Sequence, residues 1–172
     1  AASLGQDGFP LAERAISLIP RPRDRASARH DLAQAMLKGT PWQKASKEQL
    51  EAETRRRLAA GDLRGSLQLA LAVSGGDEQE RLLSEILSVA LERRDNDAAF
   101  ATAQGFVGSS DQQKALATIV KELVAKGVPL QSVTVLETMQ NGSAKITAQL
   151  LVASELARAR LPADAGVARV AR

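Results

Sequence analysis

Apolar residues recur along this chain at helical spacing. Leu116, Ile119, Val120, Leu123 and Val124 fall at i, i+3, i+4, i+7 and i+8, one stripe down one face of a helix. Leu82, Leu83, Ile86, Leu87, Ala90 and Leu91 form a similar but wider face. Proline, glycine and capping residues set the ends of these stretches. Pro10 opens a short helix over 10–19, and Pro20 and Pro22 close it. Asp24 can cap a helix over 24–38, which Gly39-Thr40-Pro41 stops. Ser46-Lys47-Glu48-Gln49 has the capping-box pattern and predicts a polar helix over 46–60, with a possible earlier start near Trp42. Further helices are expected over 62–73, 77–94, 96–107, 111–127, 130–140 and 143–160. Ser110-Asp111-Gln112-Gln113 supplies a second capping box, and Ser143 caps the last helix. The reading is nine helices and no strand. Residues 1–8 form a frayed lead, and after Pro162 the stretch 163–172 is a loose basic tail.

Within this pattern one unit is written twice, over 62–127. A shift of 33 residues brings Leu67 onto Phe100, Ala70 onto Ala103, Val73 onto Phe106 and Gly75 onto Gly108. It also brings Glu78-Gln79-Glu80-Arg81 onto Asp111-Gln112-Gln113-Lys114, and Ile86-Leu87 onto Ile119-Val120. A short helix, a small-residue turn and a longer helix at that period predict stacked helical repeats. The expected pairs are 10–19 with 24–38, 62–73 with 77–94, 96–107 with 111–127, and 130–140 with 143–160. Helix 46–60 stands outside them, as an insertion or as the second half of a degenerate repeat.

Composition narrows the core. With one Trp, three Phe and no Tyr, it must be built from Leu, Ala, Val and Ile, which suit close helix packing. At 172 residues the chain is expected to be one domain, 1–172. The absence of cysteine excludes disulfides, thiol catalysis and thiolate metal ligands. No apolar run approaches the ~18 residues of a membrane span. An Ala-Ala-Ser start without Met fits removal of a signal peptide as well as truncation of a longer chain, and the balance leans to export. The net charge of +3 is uneven: residues 1–64 carry 12 basic and 8 acidic side chains, 65–127 carry 6 and 9, and 128–172 carry 5 and 3. The basic first third and acidic middle bear on steering or end-to-end association.

Over 58–127, and loosely over 9–160, the chain resembles the tetratricopeptide-like α-solenoids. The resemblance rests on Leu58-Ala59-Ala60-Gly61-Asp62, Ala70 and the 33-residue spacing. It departs from that family's pattern in having no Tyr and in placing Trp42 outside the clear repeats. The resemblance implies an all-α superhelical stack of about four helix pairs with a scaffold or peptide-binding role. It also implies a concave surface lined by the first helix of each pair. It carries over no catalytic residue.

Candidate chemistry is sparse. Arg55-Arg56-Arg57 is the most conspicuous charge run, and with Arg64 it is a candidate patch for an acidic partner. Three successive helical residues spread over about 200°, so they cannot all face one ligand. Glu51 and Glu53 are natural in-helix partners for them. Arg21, Arg23, Arg25 and Arg29 form a second basic group. Phosphate binding needs such groups to converge, and single-strand binding needs stacking aromatics that this chain lacks, so nucleic acid is disfavoured. His30-Asp31 is not an acid–base pair, because adjacent helical residues point apart. Without a second histidine no metal site is read, and no catalytic residue or cofactor is assigned. Asp95, Asp97 and Asp111 near Glu92 read as caps and helix-start charges. Phe9, Trp42, Phe100 and Phe106 read as core anchors, with one of Phe100 and Phe106 available to a groove.

The expectation is a non-enzymatic interaction scaffold. Its groove would be formed by 62–73, 96–107 and 130–140, with Gln68, Phe100 and Gln104 as contact residues. The alternative is a charge-driven binder of an acidic protein, polymer or nucleic acid through the arginine groups. Exposed apolar faces on 10–19 or 143–160 would mark a fragment or an oligomer.

Overall fold

The computed structural model describes residues 18–74 and 76–160, together with Ala12, Ala15 and Ile16. Among these it contains eight α-helices and no strand. They are α1 (Pro22–Leu37), α2 (Lys47–Ala60), α3 (Leu63–Ala72), α4 (Gly76–Glu92), α5 (Asn96–Gly105), α6 (Ser109–Ala125), α7 (Pro129–Thr138) and α8 (Ser143–Arg160). A 3₁₀ turn, Pro41–Lys44, carries Trp42. Ala12, Ala15 and Ile16 are helical, and Leu18 and Ile19 lie outside any helix; Pro10, Leu11, Glu13, Arg14 and Ser17 of the expected 10–19 helix, the lead 1–8, Phe9, Gly75 and the tail 163–172 lie outside the described residues. Contacts divide the chain into two compact units where one domain was expected. The first ends at Gln112 and the second begins at Gln113.

The 33-residue period is written in the backbone. Gly61, Arg94 and Gly127 lie one period apart, and all three adopt positive φ, at 87°, 61° and 73°. Each closes the same Schellman turn. The amides of Gly61, Arg94 and Gly127 bond the carbonyls of Leu58, Leu91 and Val124. The amides of Asp62, Asp95 and Val128 bond those of Arg57, Ala90 and Leu123. The following helix starts at once. Asp62 and Asp95 cap α3 and α5 by accepting from the amides of Gly65 and Ala98. At Val128 no side chain caps, and Pro129 at the first position of α7 removes one of the amides that would need it.

These turns of two or three residues fold α2 back onto α3 and α4 back onto α5. Packing in the first unit is most extensive within α2–α3 and within α4–α5. The unit therefore runs long-then-short, the reverse of the expected phase. Helix 46–60, read as an odd element, is the long half of the first such hairpin. The short helices end differently. Val73, Phe106 and Met139, again one period apart, are extended (ψ 127°, 131° and 140°) and buried. The chain turns away there, and in the first unit α3 packs less closely on α4 than on α2.

Side chains at matching positions share burial. Leu50, Leu83 and Leu116 are buried, as are Ser66, Ala99 and Ser132, and Ala70, Ala103 and Leu136. The carbonyls left open where each short helix ends meet a side chain from the start of the next long helix. Gln79 Nε2 donates to the carbonyls of Ala70, Leu71 and Val73 at 3.1–3.2 Å. One period on, Gln112 Nε2 donates to Gln104 O, and one further, Lys145 Nζ donates to Met139 O. Each such buried carbonyl left unpaired would cost about 1–3 kcal/mol.

Three helix starts differ from expectation. Pro22 at the first position begins α1, so Asp24 sits inside its first turn as a dipole charge and not as the cap. α6 begins at Ser109, with Gln112 N–H bonded to Gly108 O, so Ser110 is already helical. Gln113 Oε1 accepts instead from the amide of Gln140. α8 begins at Ser143, with Gly142 O receiving Ile146 N–H.

The turns give a direct test. A non-glycine residue in the left-handed region costs about 1–2 kcal/mol. Arg94→Gly is therefore expected to raise stability by about 0.5–1 kcal/mol, after the entropic cost of glycine in the unfolded chain. A Cβ on Gly127 meets nothing within 4 Å, so Gly127→Ala isolates the backbone term. It should lower stability by about 1 kcal/mol. Urea midpoints moving the other way for either variant would show that the turns are not held by this conformation.

Candidate functional site

Two surfaces carry the residues singled out by sequence. The first is α2. Its capping box forms as predicted: Ser46 Oγ accepts from Gln49 N–H, and Gln49 Oε1 accepts from Ser46 N–H. Leu50, Thr54 and Leu58 fix the buried face. The three arginines then diverge. Arg55 reaches α4, with Nε 3.3 Å from Glu85, and also lies 3.6 Å from Glu51. Arg56 and Arg57 both bond Glu53, at 2.6 and 2.9 Å. Arg57 also reaches Asp62 across Gly65, where a Cβ would strike both groups. Lys47–Glu78 at 2.6 Å and Arg81–Glu51 at 3.6 Å complete an ionic seam between α2 and α4. Arg64 is exposed.

Glu53 reads from sequence as an in-helix partner of the arginines, and sequence reasoning missed its burial. It is 6% exposed and stands one and two periods before Ile86 and Ile119, at a core position. Hydrogen bonds from Arg56 and then Arg57 hold its carboxyl down at about 2, against the opposing effect of its burial. Extending the 33-residue alignment backwards from Ile86 would have found it.

The second is the face that a short helix presents, taken in each unit by itself. In the first unit α1 lies on it, packed against α3 and α5. Ala26, Ala33 and Leu37 are buried there. Polar side chains of α1 seek the ends of the short helices. Arg29, 2% exposed, donates to Gln104 O at 2.9 Å and to Gln104 Oε1 at 2.6 Å. His30 Nδ1 donates to Leu71 O at 2.8 Å, and Gln34 Nε2 to Ala72 O at 2.6 Å. This corrects the expected groove: over 62–73 and 96–107 a helix of the chain itself is in place, because its donors satisfy carbonyls that two short helices leave open. Gln104 is committed to Arg29. Gln68 and Phe100 are half-buried. In the second unit α7 exposes Leu130 and Val133, 73% and 39% accessible. Val133 matches Leu67 and Phe100 in the repeat.

The remaining candidates resolve locally. Arg21 and Arg23 are exposed, Arg25 folds back onto the carbonyls of Ile19 and Pro20, and Arg29 is buried, so this group does not converge. Burial, and then the charge of Arg29, lower the Arg25 pKa. Asp31 is exposed and takes no part in the His30 contact. Asp95 caps α5. Phe106 is buried, and Trp42 is half-buried. Trp42, Pro41, Gln49, Glu53 and Arg56 line an open hollow of about 400 Å³. Among the described residues no group of three or more His, Cys, Asp or Glu is placed to hold a metal ion. Nor is any helix there long and apolar enough to cross a membrane. Set against known proteins, the chain matches no family model, no curated protein and no solved structure.

Two measurements follow. A depressed carboxyl pKa contributes stability that is fully present above the unfolded value and is lost as pH falls through the folded one. For Glu53 that window runs from 4.5 down to about 2. Glu53→Gln should lower the thermal midpoint at neutral pH and flatten its fall across this window. Glu48 and Glu78, also lowered, keep part of the slope. An unchanged slope would remove Glu53 from the account. Separately, Arg29→Ala should speed amide exchange in α1 at least tenfold while α4 keeps its protection. Equal acceleration throughout would show that α1 is no separable layer.

Proposed function

We propose that this protein is a non-enzymatic interaction scaffold of helical repeats, similar in plan to the tetratricopeptide-like α-solenoids. It binds a helical segment of a partner protein on the face of its short helices. The observation that carries this reading is α1 itself. A helix already sits on α3 and α5, gripped by side chains that answer the carbonyls where those helices end. The face of a short helix is thus suited to a helix, and on α7 of the second unit Leu130 and Val133, at that face, are uncovered. The histidine and the buried carboxylate Glu53 are both committed to internal bonds, which favours binding over acid–base chemistry. The charge-driven alternative is less well supported. An acidic partner would have to displace Glu51, Glu53, Asp62 and Glu85 from Arg55, Arg56 and Arg57.

The test is affinity capture from an extract of the source at low and high salt, read by mass spectrometry and nucleic-acid staining. A defined protein should be retained at high salt. Leu130→Glu with Val133→Glu should weaken its binding about tenfold or more, the scale of losing two apolar contacts. Arg55, Arg56 and Arg57→Ala should leave capture unchanged. Retention of nucleic acid or acidic polymer alone, only at low salt and abolished by the arginine changes, would overturn the proposal.

A further inference from the structure

Helix α8 has two apolar sides, and only one is covered. Ala148 and Val152 are buried on the side that packs with α7. Ile146, Leu150, Ala153 and Ala157 lie on the opposite side, and all four are exposed. Ile146 is 57% and Leu150 67% accessible. Their spacing of four, three and four residues keeps them within a narrow strip, the register of a two-helix seam. This side of a long helix is already used for pairing in the first unit. Lys47 and Glu51, three periods before Ile146 and Leu150, hold α4 through Glu78 and Arg81. In α8 the same positions have become apolar.

We infer that this seam binds a second copy of the chain, α8 against α8, antiparallel about a two-fold axis. The seam is large at its start and small at its end, and antiparallel pairing makes that arrangement self-complementary. With the axis between Leu150 and Ala153, Leu150 packs on the partner's Ala153, and Ile146 on the partner's Ala157. The two-fold repeats both contacts, so four large–small layers form from one stripe. Large residues opposite small ones let the helices approach closely and fill the space between them. Parallel pairing would instead set Ile146 on Ile146 and leave facing alanines with a gap. Thr147, Gln149 and Ser154, which flank the four layers, are uncharged, so no like charges meet beside them. Arg158 is already paired with Glu155 in its own helix. The seam is separate from Leu130 and Val133 on α7, so dimerisation stands or falls independently of the binding reading above.

The chain has no cysteine, so introduced thiols report the geometry directly. Sedimentation velocity on the full chain should show a concentration-dependent dimer. Leu150→Glu should weaken it at least tenfold with unchanged helical circular dichroism, and the milder Leu150→Ser should weaken it in the same direction. Under mild oxidation Ile146→Cys/Ala157→Cys should give a covalent dimer. Ile146→Cys alone should not, since antiparallel pairing holds the two copies of that position about 16 Å apart along the axis, beyond the reach of a disulfide. Cross-linking by Ile146→Cys alone would overturn the antiparallel arrangement. A monomer at every concentration would overturn the dimer. So would Leu150→Glu unfolding the monomer, because the seam would then be covered by the chain's own residues.

Discussion

A helix that ends inside a protein leaves carbonyl oxygens with nowhere to turn. This chain ends three short helices in that way, and much of its structure answers that need. Gln79, Gln112 and Lys145 return from the next helix to supply donors. Arg29, His30 and Gln34 supply more from α1. Gln104 O accepts from both Gln112 and Arg29, and Leu71 O from both Gln79 and His30. Carbonyls carry two lone pairs, so one set of oxygens serves both the repeat and the layer added to it. The apolar core could be met by many sequences; these donors fix which helix lies where.

Much of this architecture was legible in the sequence, because helix ends are chemical events. The Ser46–Gln49 box, Gly61-Asp62 and Gly127 marked real boundaries, and the helix starts and ends came within a few residues. The phase of the repeat was not legible. Pairing each short helix with the longer one after it puts the hairpin at the small-residue turns of Gly75 and Gly108. The tight turn, however, lies at Gly61, Arg94 and Gly127, and an arginine in the left-handed region hides one of the three. The occupation of the short-helix face was not legible either. α1 is weakly amphipathic and is held by polar groups reaching backbone atoms far along the chain, which no periodicity announces. Of the candidate residues, Arg55, Arg56 and Arg57 diverge as their helical spacing requires, while the engagement of Gln104 with Arg29 depends wholly on the fold.

Glu53 shows how a repeat tolerates a change at one member. Its counterparts Ile86 and Ile119 sit in apolar surroundings. Here a carboxylate takes the place, and two guanidiniums follow it on the same helix to keep it charged. The ionic links between α2 and α4 have the same character, since Lys47, Glu51 and Arg55 each find a partner on the neighbouring helix or their own. The first hairpin is therefore tied to α4 by charge as well as by its aliphatic core. Such a seam responds to pH and ionic strength in a way the aliphatic stripes do not.

The tie between Arg29 and Gln104 spans 75 residues of chain. The hairpins, by contrast, close over turns of two or three residues and need little more than their own sequence. A ribosome delivers α1 first, yet the oxygens it will hold belong to helices made later. Each hairpin can close as it emerges, and α1 can meet α3 early, while Arg29 must wait until α5 has left the tunnel. The order of synthesis and the order of assembly thus run in opposite directions for this one helix, and for that interval its buried arginine has only water for company.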